Sequence, residues 1–150
     1  MKAKPLPSTE ELNRIFDYNP ESGLLTTKIK LANRVPANTI VGSLSSAEYL
    51  KVSVKGSSFA VHRIAWKLMT EEEPSVVDHI NHIKFDNRFC NLRGTSYQIN
   101  NLNRKGTKGY CILPNKTFRV TLSGKDVGYF KEEALALQAY KDAKYEYFGL

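Results

Sequence analysis

The period of the hydrophobic positions changes several times along this chain. Near the N-terminus Leu12, Ile15 and Phe16 fall on one helical face behind a capping box of Ser8 and Glu11. That pattern predicts a short helix, stopped by Asn19-Pro20-Glu21-Ser22-Gly23. From Leu24 to about Ala60 the pattern shortens to alternating stretches, clearest over 49–54 and broken by Gly42, Gly56 and Ser57-Ser58. Two or three strands with hairpin turns are expected there. The helical spacing of Ile64, Ala65 and Leu68 predicts a helix over 62–69 that ends between 71 and 74. Its Trp66 reads as a core residue, and His62 as a hydrogen-bonded structural histidine, since no acidic or metal-ligand neighbour accompanies it in sequence.

The middle of the chain is different in kind. Val76-Val77 is strand-like and delivers Asp78-His79 at its end, and Leu92-Arg93-Gly94 reads as a second short strand. Between them lies an unusually polar loop over 81–88. A second capping box, Thr95 with Gln98, is expected to open a helix carrying Asn100, Asn101 and Asn103. The basic, glycine-containing stretch 104–109 reads as a joint between modules. Beyond it, strands are expected over 110–113, 117–122 and 126–130. A helix should follow from Glu132 to about Tyr147, with Ala136, Ala139, Tyr140 and Ala143 on one face.

Charge adds a partner. The 150 residues hold 22 Lys and Arg against 15 Asp and Glu, a net +7, which favours a polyanion such as nucleic acid over a neutral small molecule. A length of this order accommodates one compact domain or one core with a small satellite module. The opening Met-Lys-Ala-Lys-Pro-Leu-Pro lacks the apolar run of a signal peptide, and no segment reaches the ~18 apolar residues of a membrane span. The chain therefore reads as cytosolic, with no membrane partner. Cys90 and Cys111 stand alone without C-x-x-C spacing, so free thiols are expected rather than a zinc site or a disulfide framework.

Taken singly, an Asp-His dipeptide is ordinary surface and an Asn in a loop ordinary turn chemistry. Together, Asp beside His at a strand end, asparagines in order downstream and a capped helix suggest a strand-loop-strand-helix metal cradle. An imidazole titrating at about 6.5 can take a proton from water at neutral pH. A carboxylate and an amide oxygen are hard ligands suited to Mg²⁺.

The combination resembles the HNH homing-endonuclease family of phages and introns. The resemblance lies in Val77-Asp78-His79-Ile80-Asn81, Asp86-Asn87-Arg88, Asn91-Leu92-Arg93 and Gln98-Ile99-Asn100-Asn101, with likeness also in the stretch from Phe16 to Leu25 and in His62-Arg63-Ile64-Ala65-Trp66. It implies an α+β chain: a ββα-metal nuclease core over 76–103 inside an HNH domain of 1–103, then the linker 104–109 and a small three-stranded-sheet-plus-helix module over 110–150. It further implies His79 as general base, Asn91 as the residue pinning the loop, and Asp78 and Asn100 as ligands of one Mg²⁺, with Mn²⁺ as a substitute. Spacing alone does not separate Asn100 from Asn101. Two departures stand out: His82 occupies a place where relatives usually have glycine, read as a harmless loop substitution, and two cysteines are too few for the structural zinc of Cys-rich HNH relatives.

The tail resembles the DNA-binding domain of plant ethylene-response factors (Apetala type), through Lys108-Gly109-Tyr110, Phe118-Arg119-Val120, Gly128-Tyr129-Phe130, Glu132-Glu133-Ala134 and Ala139-Tyr140. It departs from that domain in lacking a tryptophan in Tyr110-Cys111-Ile112. Strand alternation puts Phe118, Val120 and Leu122 toward the helix and Thr117, Arg119 and Thr121 on the open face. On this reading Arg119 pairs with guanine, while Lys108, Lys116 and Lys125 meet phosphates. Arg93, Arg104 and Lys105 are further candidate DNA contacts. The expected function is metal-dependent hydrolysis of phosphodiesters in double-stranded DNA by a phage-type monomer in a host cytoplasm, with no small-molecule cofactor. A non-catalytic DNA-binding regulator of the same fold is the alternative. An RNA-binding protein would fit the charge but calls for exposed aromatic platforms, which the sequence does not clearly supply.

Overall fold

A computed structural model describes residues 3–148 apart from Asn103, Lys105 and Thr107. The chain divides into two compact units, Met1–Tyr97 and Gln98–Leu150.

The first unit begins with α1 (Thr9–Ile15), whose start is capped as the sequence predicts: Ser8 Oγ accepts from the Glu11 N–H at 3.2 Å. The helix stops earlier than expected. Phe16 turns extended at φ −123° and ψ 151° and opens β1 (Phe16–Tyr18), which pairs antiparallel with β2 (Leu25–Thr27). Phe16 still enters the core, but as a strand residue, because pairing with Thr27 supplies the hydrogen bonds a longer helix would have given. Five strands rather than two or three fill the stretch from Leu25 to Ala60. They are β2, β3 (Ile40–Val41), β4 (Ser43–Leu44), β5 (Leu50–Val54) and β6 (Ser57–Ala60). The sheets run β1-β2-β3 and β4-β5-β6.

α2 (Val61–Thr70) follows β6 directly and ends at Glu71, which adopts a left-handed φ of 63°. Val61 and Ile64 join Leu12, Ile15, Phe16, Leu25, Val52, Val54 and Phe59 in the main core. Ala65 and Trp66 face a second, smaller core with Val77 and Leu92. Trp66 is thus packed, as its sequence context predicts; it lies 5.5 Å from the Phe89 ring, and a Cβ on Gly94 would fall 2.8 Å from its edge. The two residues of that smaller core beyond α2 come from the antiparallel pair β7 (Val76–His79) and β8 (Leu92–Thr95). A short 3₁₀ turn, Phe89–Asn91, leads into β8.

α3 (Tyr97–Leu102) comes next in the chain. The expected Thr95 cap does not form: Thr95 is the last residue of β8, opposite Val76, and its buried hydroxyl has no partner. The division between units falls in α3 rather than in the basic joint, because Leu102 packs into the core of the second unit, with Val120 and Tyr140.

In the second unit β9 (Tyr110–Ile112), β10 (Phe118–Leu122) and β11 (Lys125–Phe130) form an antiparallel sheet of order β11-β10-β9. Val120 and Leu122 are buried against Ala136, Tyr140 and Ala143 of α4 (Glu133–Phe148), with Phe118 partly buried beside them. This is the period-two alternation of a strand meeting the three-to-four spacing of a helix. Among the described residues no helix is long and apolar enough to cross a membrane.

Candidate active site

Strand period two decides where the chemistry of β7 goes. Val77 and His79 point to the buried side, while Val76 and Asp78 point to the other. Asp78 lies across from Arg93 on β8, and Arg93 Nη2 donates to Asp78 Oδ2 at 2.7 Å, with both side chains largely covered. Arg93, an expected DNA contact, is therefore engaged by the very carboxylate expected to hold metal.

His79 is 3 % exposed. Its Nε2 lies 3.0 Å from Asn87 Oδ1. An amide oxygen only accepts, so this bond places the ring proton on Nε2 and leaves Nδ1 as the basic nitrogen. Burial pushes the imidazole below its ordinary pKa, while the Asn87 bond and the charges of Asp78 and Asp86 pull the other way. The net direction keeps the ring neutral at pH 7, the form a base requires.

Asn87 itself is 2 % exposed, and sequence reasoning gave it no role. Its position is fixed from outside the loop. Tyr18 Oη donates to the Asn87 carbonyl at 2.6 Å, and the Phe89 N–H donates to the Pro20 carbonyl at 2.9 Å. Burial, then the nearby Cys90 and Asp86, push the Tyr18 hydroxyl up to about 12, so it stays a donor. The turn 19–23 thus grips the far end of the loop.

Asn91 ties the two ends of that loop together. Its Oδ1 accepts from the Asn81 N–H at 2.9 Å, its Nδ2 donates to the Asp86 carbonyl at 2.8 Å, and its own carbonyl accepts from the Ile80 N–H at 2.8 Å. Inside the loop Asp86 receives Arg88 through two guanidinium bonds of 2.8 and 2.7 Å and Asn81 Nδ2 at 2.7 Å. Those donors, Arg88 first, hold its carboxyl down to about 2. The polar loop is therefore a closed hydrogen-bonded unit rather than a solvated excursion.

His82 takes a left-handed φ of 62°, so the substitution read as harmless sits where glycine is the unstrained choice. Left-handed backbone costs a residue with a Cβ about 1–2 kcal/mol, offset by the ~0.4–1 kcal/mol of unfolded-chain entropy that glycine adds. His82→Gly should raise unit stability by about 0.5–1 kcal/mol in urea unfolding.

The hydrogen bond expected of His62 is not made at its Nδ1. The residue is buried in the first turn of α2. Burial, with His79 and Arg63 adding to it, pushes its imidazole down to about 3. Its ring packs against His79, and Tyr49 lies against both.

The remaining expected residues divide by location. Asn100 and Asn101 lie on α3, Asn100 half-buried and Asn101 exposed. Asn103 and Lys105 fall outside the described residues. Arg104, Lys116 and Lys125 are exposed, and Lys108 Nζ sits 5.8 Å from the centre of the Tyr110 ring. Arg119, expected to read guanine, is clasped by Asp126 through bonds of 2.6 and 3.0 Å. Cys90 and Cys111 are exposed free thiols. Among the described residues no group of three or more His, Cys, Asp or Glu side chains converges as a metal cluster.

Residues 59–102 match the family model of the HNH endonuclease, a span from β6 to the end of α3. A solved structure described as DNA binding and cleavage by the HNH homing endonuclease I-HmuI is similar at 19% identity and a TM-score of 0.46. The likeness covers 65% of this chain and 55% of that one, so the chain spans little more than half its length. No curated protein matches. The segment that matches the HNH endonuclease model, residues 59–102, is the one that carries the buried histidine at the end of β7 and its closed, asparagine-pinned loop.

Proposed function

We propose that the chain is a metal-dependent, homing-type endonuclease that hydrolyses phosphodiesters in double-stranded DNA, with His79 as general base. The observation that carries the reading is the His79–Asn87 bond at 3.0 Å: it fixes the tautomer and leaves Nδ1 to accept a proton from water. The similarity to a structure described with DNA binding and cleavage, and the net charge of +7, support DNA as the partner.

The Asp78 carboxylate is a hard oxygen donor of the kind a divalent ion takes. Mg²⁺ needs only one or two protein oxygens and takes the rest of its shell from water and phosphate, so a cluster of three acidic residues is not required. Asp78 at the end of β7 and Asn100 on α3 are the residues proposed to hold it. When bound, the ion supplies positive charge to the phosphate oxygens and to the departing 3′ oxygen. The protein's own residues do the rest. His79 Nδ1 takes the proton of the attacking water, whose oxygen bonds to phosphorus as the P–O3′ bond breaks; the departing O3′ takes a proton from solvent water, giving 5′-phosphate and 3′-hydroxyl ends. Asn87 holds Nε2–H throughout. Asn91 keeps the loop closed so that Asn87 stays in reach, and Arg93 orients the Asp78 carboxylate.

The three-stranded sheet and helix over 110–150, which follow the basic stretch 104–109 in sequence, are proposed as the DNA-gripping module. Arg119 would exchange Asp126 for a base edge on binding, while Lys108, Lys116, Lys125 and Arg104 would meet phosphates.

The pH dependence has a definite sign. A base must be neutral, so the rate falls as pH drops through the pKa of His79. Burial lowers that pKa, so the acid limb should fall below the ordinary histidine value of about 6.5. Asn87→Asp places a carboxylate on Nε2–H, stabilises the imidazolium and should move the limb upward. A single-turnover pH–rate profile of both proteins checks this.

The reading is tested by incubating supercoiled plasmid with the protein, with Mg²⁺ or Mn²⁺ and with EDTA. Metal-dependent nicking or linearisation is expected. Steeply salt-dependent DNA binding without cleavage in either metal would leave the non-catalytic regulator instead.

A further inference from the structure

Besides its bond to Asn87, His79 packs against two other rings. The His62 ring lies 4.9 Å from it, centroid to centroid, at an interplanar angle of 71°, and Tyr49 closes a three-ring cluster at 5.2 Å from His62 and 5.9 Å from His79. Near-perpendicular ring pairs at such distances are a favoured and directional contact. We propose that His62 is a positioning residue for the base, setting the tilt of the His79 ring as Asn87 sets its Nε2; the proposal rests on His79 being the base.

Four observations support it. One hydrogen bond from Nε2 fixes a point on the ring, but a single amide acceptor tolerates tilt about that point, and Nδ1 must be aimed within about 10–20° to meet a water in line with phosphorus. His62 is well placed to remove that freedom, since it is 8 % exposed in the first turn of α2, between Val61 and the buried Ile64 and Ala65. Hydrogen bonding does not account for an imidazole here at its Nδ1, which is buried without a partner. What the ring meets is other rings. On the far side Lys84 Nζ sits 5.3 Å from the centre of the Tyr49 ring and donates to the Ala47 carbonyl at 3.1 Å, so the third member of the cluster is anchored by the same loop that carries Asn87. His62 does not exchange protons in this scheme; it acts through His79.

The test compares His62→Leu, which keeps much of the volume without a ring, with His62→Phe, which keeps the ring without its nitrogens. Both are read in the full chain by plasmid cleavage, DNA binding and thermal unfolding. Small misplacements of a reacting group cost up to about 100-fold. The Leu variant should therefore lose roughly tenfold or more in kcat, with the Kd for DNA within about twofold. The Phe variant should return to within about threefold of wild type. Wild-type kcat in the Leu variant would overturn the proposal, because filling space would then suffice. So would a folded Phe variant as slow as Leu, because a nitrogen would then be required. Solvent exchange of the His79 Nε2 proton, followed by NMR, separates this inference from the nuclease reading. It should be slow in wild type and Phe and faster in Leu even if no DNA is cut; equal exchange in all three would overturn the positioning role.

Discussion

Gly23→Ala should unfold the first unit far more readily than any ordinary surface glycine change. Gly23 has a φ of +74°, and a Cβ there would lie 2.5 Å from the Arg88 nitrogen and 2.6 Å from the Asn87 carbonyl carbon. These are backbone atoms, which cannot swing aside as a side-chain tip can. The left-handed conformation costs an alanine about 1–2 kcal/mol, which the ~0.4–1 kcal/mol of unfolded-chain entropy lost with glycine reduces to about 0.5–1 kcal/mol. Separating two backbone segments also strains the Tyr18 bond to the Asn87 carbonyl and the Phe89 bond to Pro20, so the total should reach about 2.5–3 kcal/mol. Gly56→Ala is the internal control, since Gly56 has a φ of +76° with nothing within 4 Å of its would-be Cβ. It should show the conformational cost alone. Urea unfolding of the two variants therefore isolates the collision as their difference, about 2 kcal/mol. Any Gly23→Ala protein that folds should also cleave slowly, because the displaced segment is the one that presents Asn87 to His79.

Much of this arrangement is legible in residue order, and for a local reason. The Ser8 cap, the alternation of Phe118, Val120 and Leu122, and the helix around Ile64 and Ala65 depend on neighbours within a turn or a strand. Asp78 and His79 likewise fall on opposite faces because adjacent strand residues must. What was illegible depends on closure in three dimensions. Asn87 reads as a turn-former among several polar residues; only the grip of Tyr18 and the turn 19–23, nearly seventy residues away in sequence, buries it against His79. His62 gives no sign of its contact with His79, since the two sit on different elements and meet only when α2 packs on β7 and β8. Phe16 has the spacing of a helix residue, but its partner strand overrides that spacing. Thr95 carries a capping signature that strand pairing with Val76 pre-empts. One signal for Asn87 was present: its place inside Asp86-Asn87-Arg88, a segment of the family resemblance, beside a glycine-ended turn upstream that needs something to close on.

The second large effect is expected at His79. General-base catalysis contributes about 10²–10⁴ in rate, so His79→Ala should cut cleavage by that factor. DNA binding should persist, because phosphate contacts rather than a buried imidazole supply the affinity. The cavity is the main structural cost, and Asn87 loses its partner as well, so a destabilisation of about 1–3 kcal/mol should accompany the loss and leave the domain folded at room temperature. The decisive measurement is single-turnover cleavage of supercoiled plasmid in Mg²⁺ by wild type and by His79→Ala, at protein concentrations where both bind all the DNA and both are folded. The mechanism predicts metal-dependent cleavage by wild type and a rate at least 100-fold lower for the variant. Cleavage by folded His79→Ala at the wild-type rate would contradict it, and would place the base elsewhere in the domain.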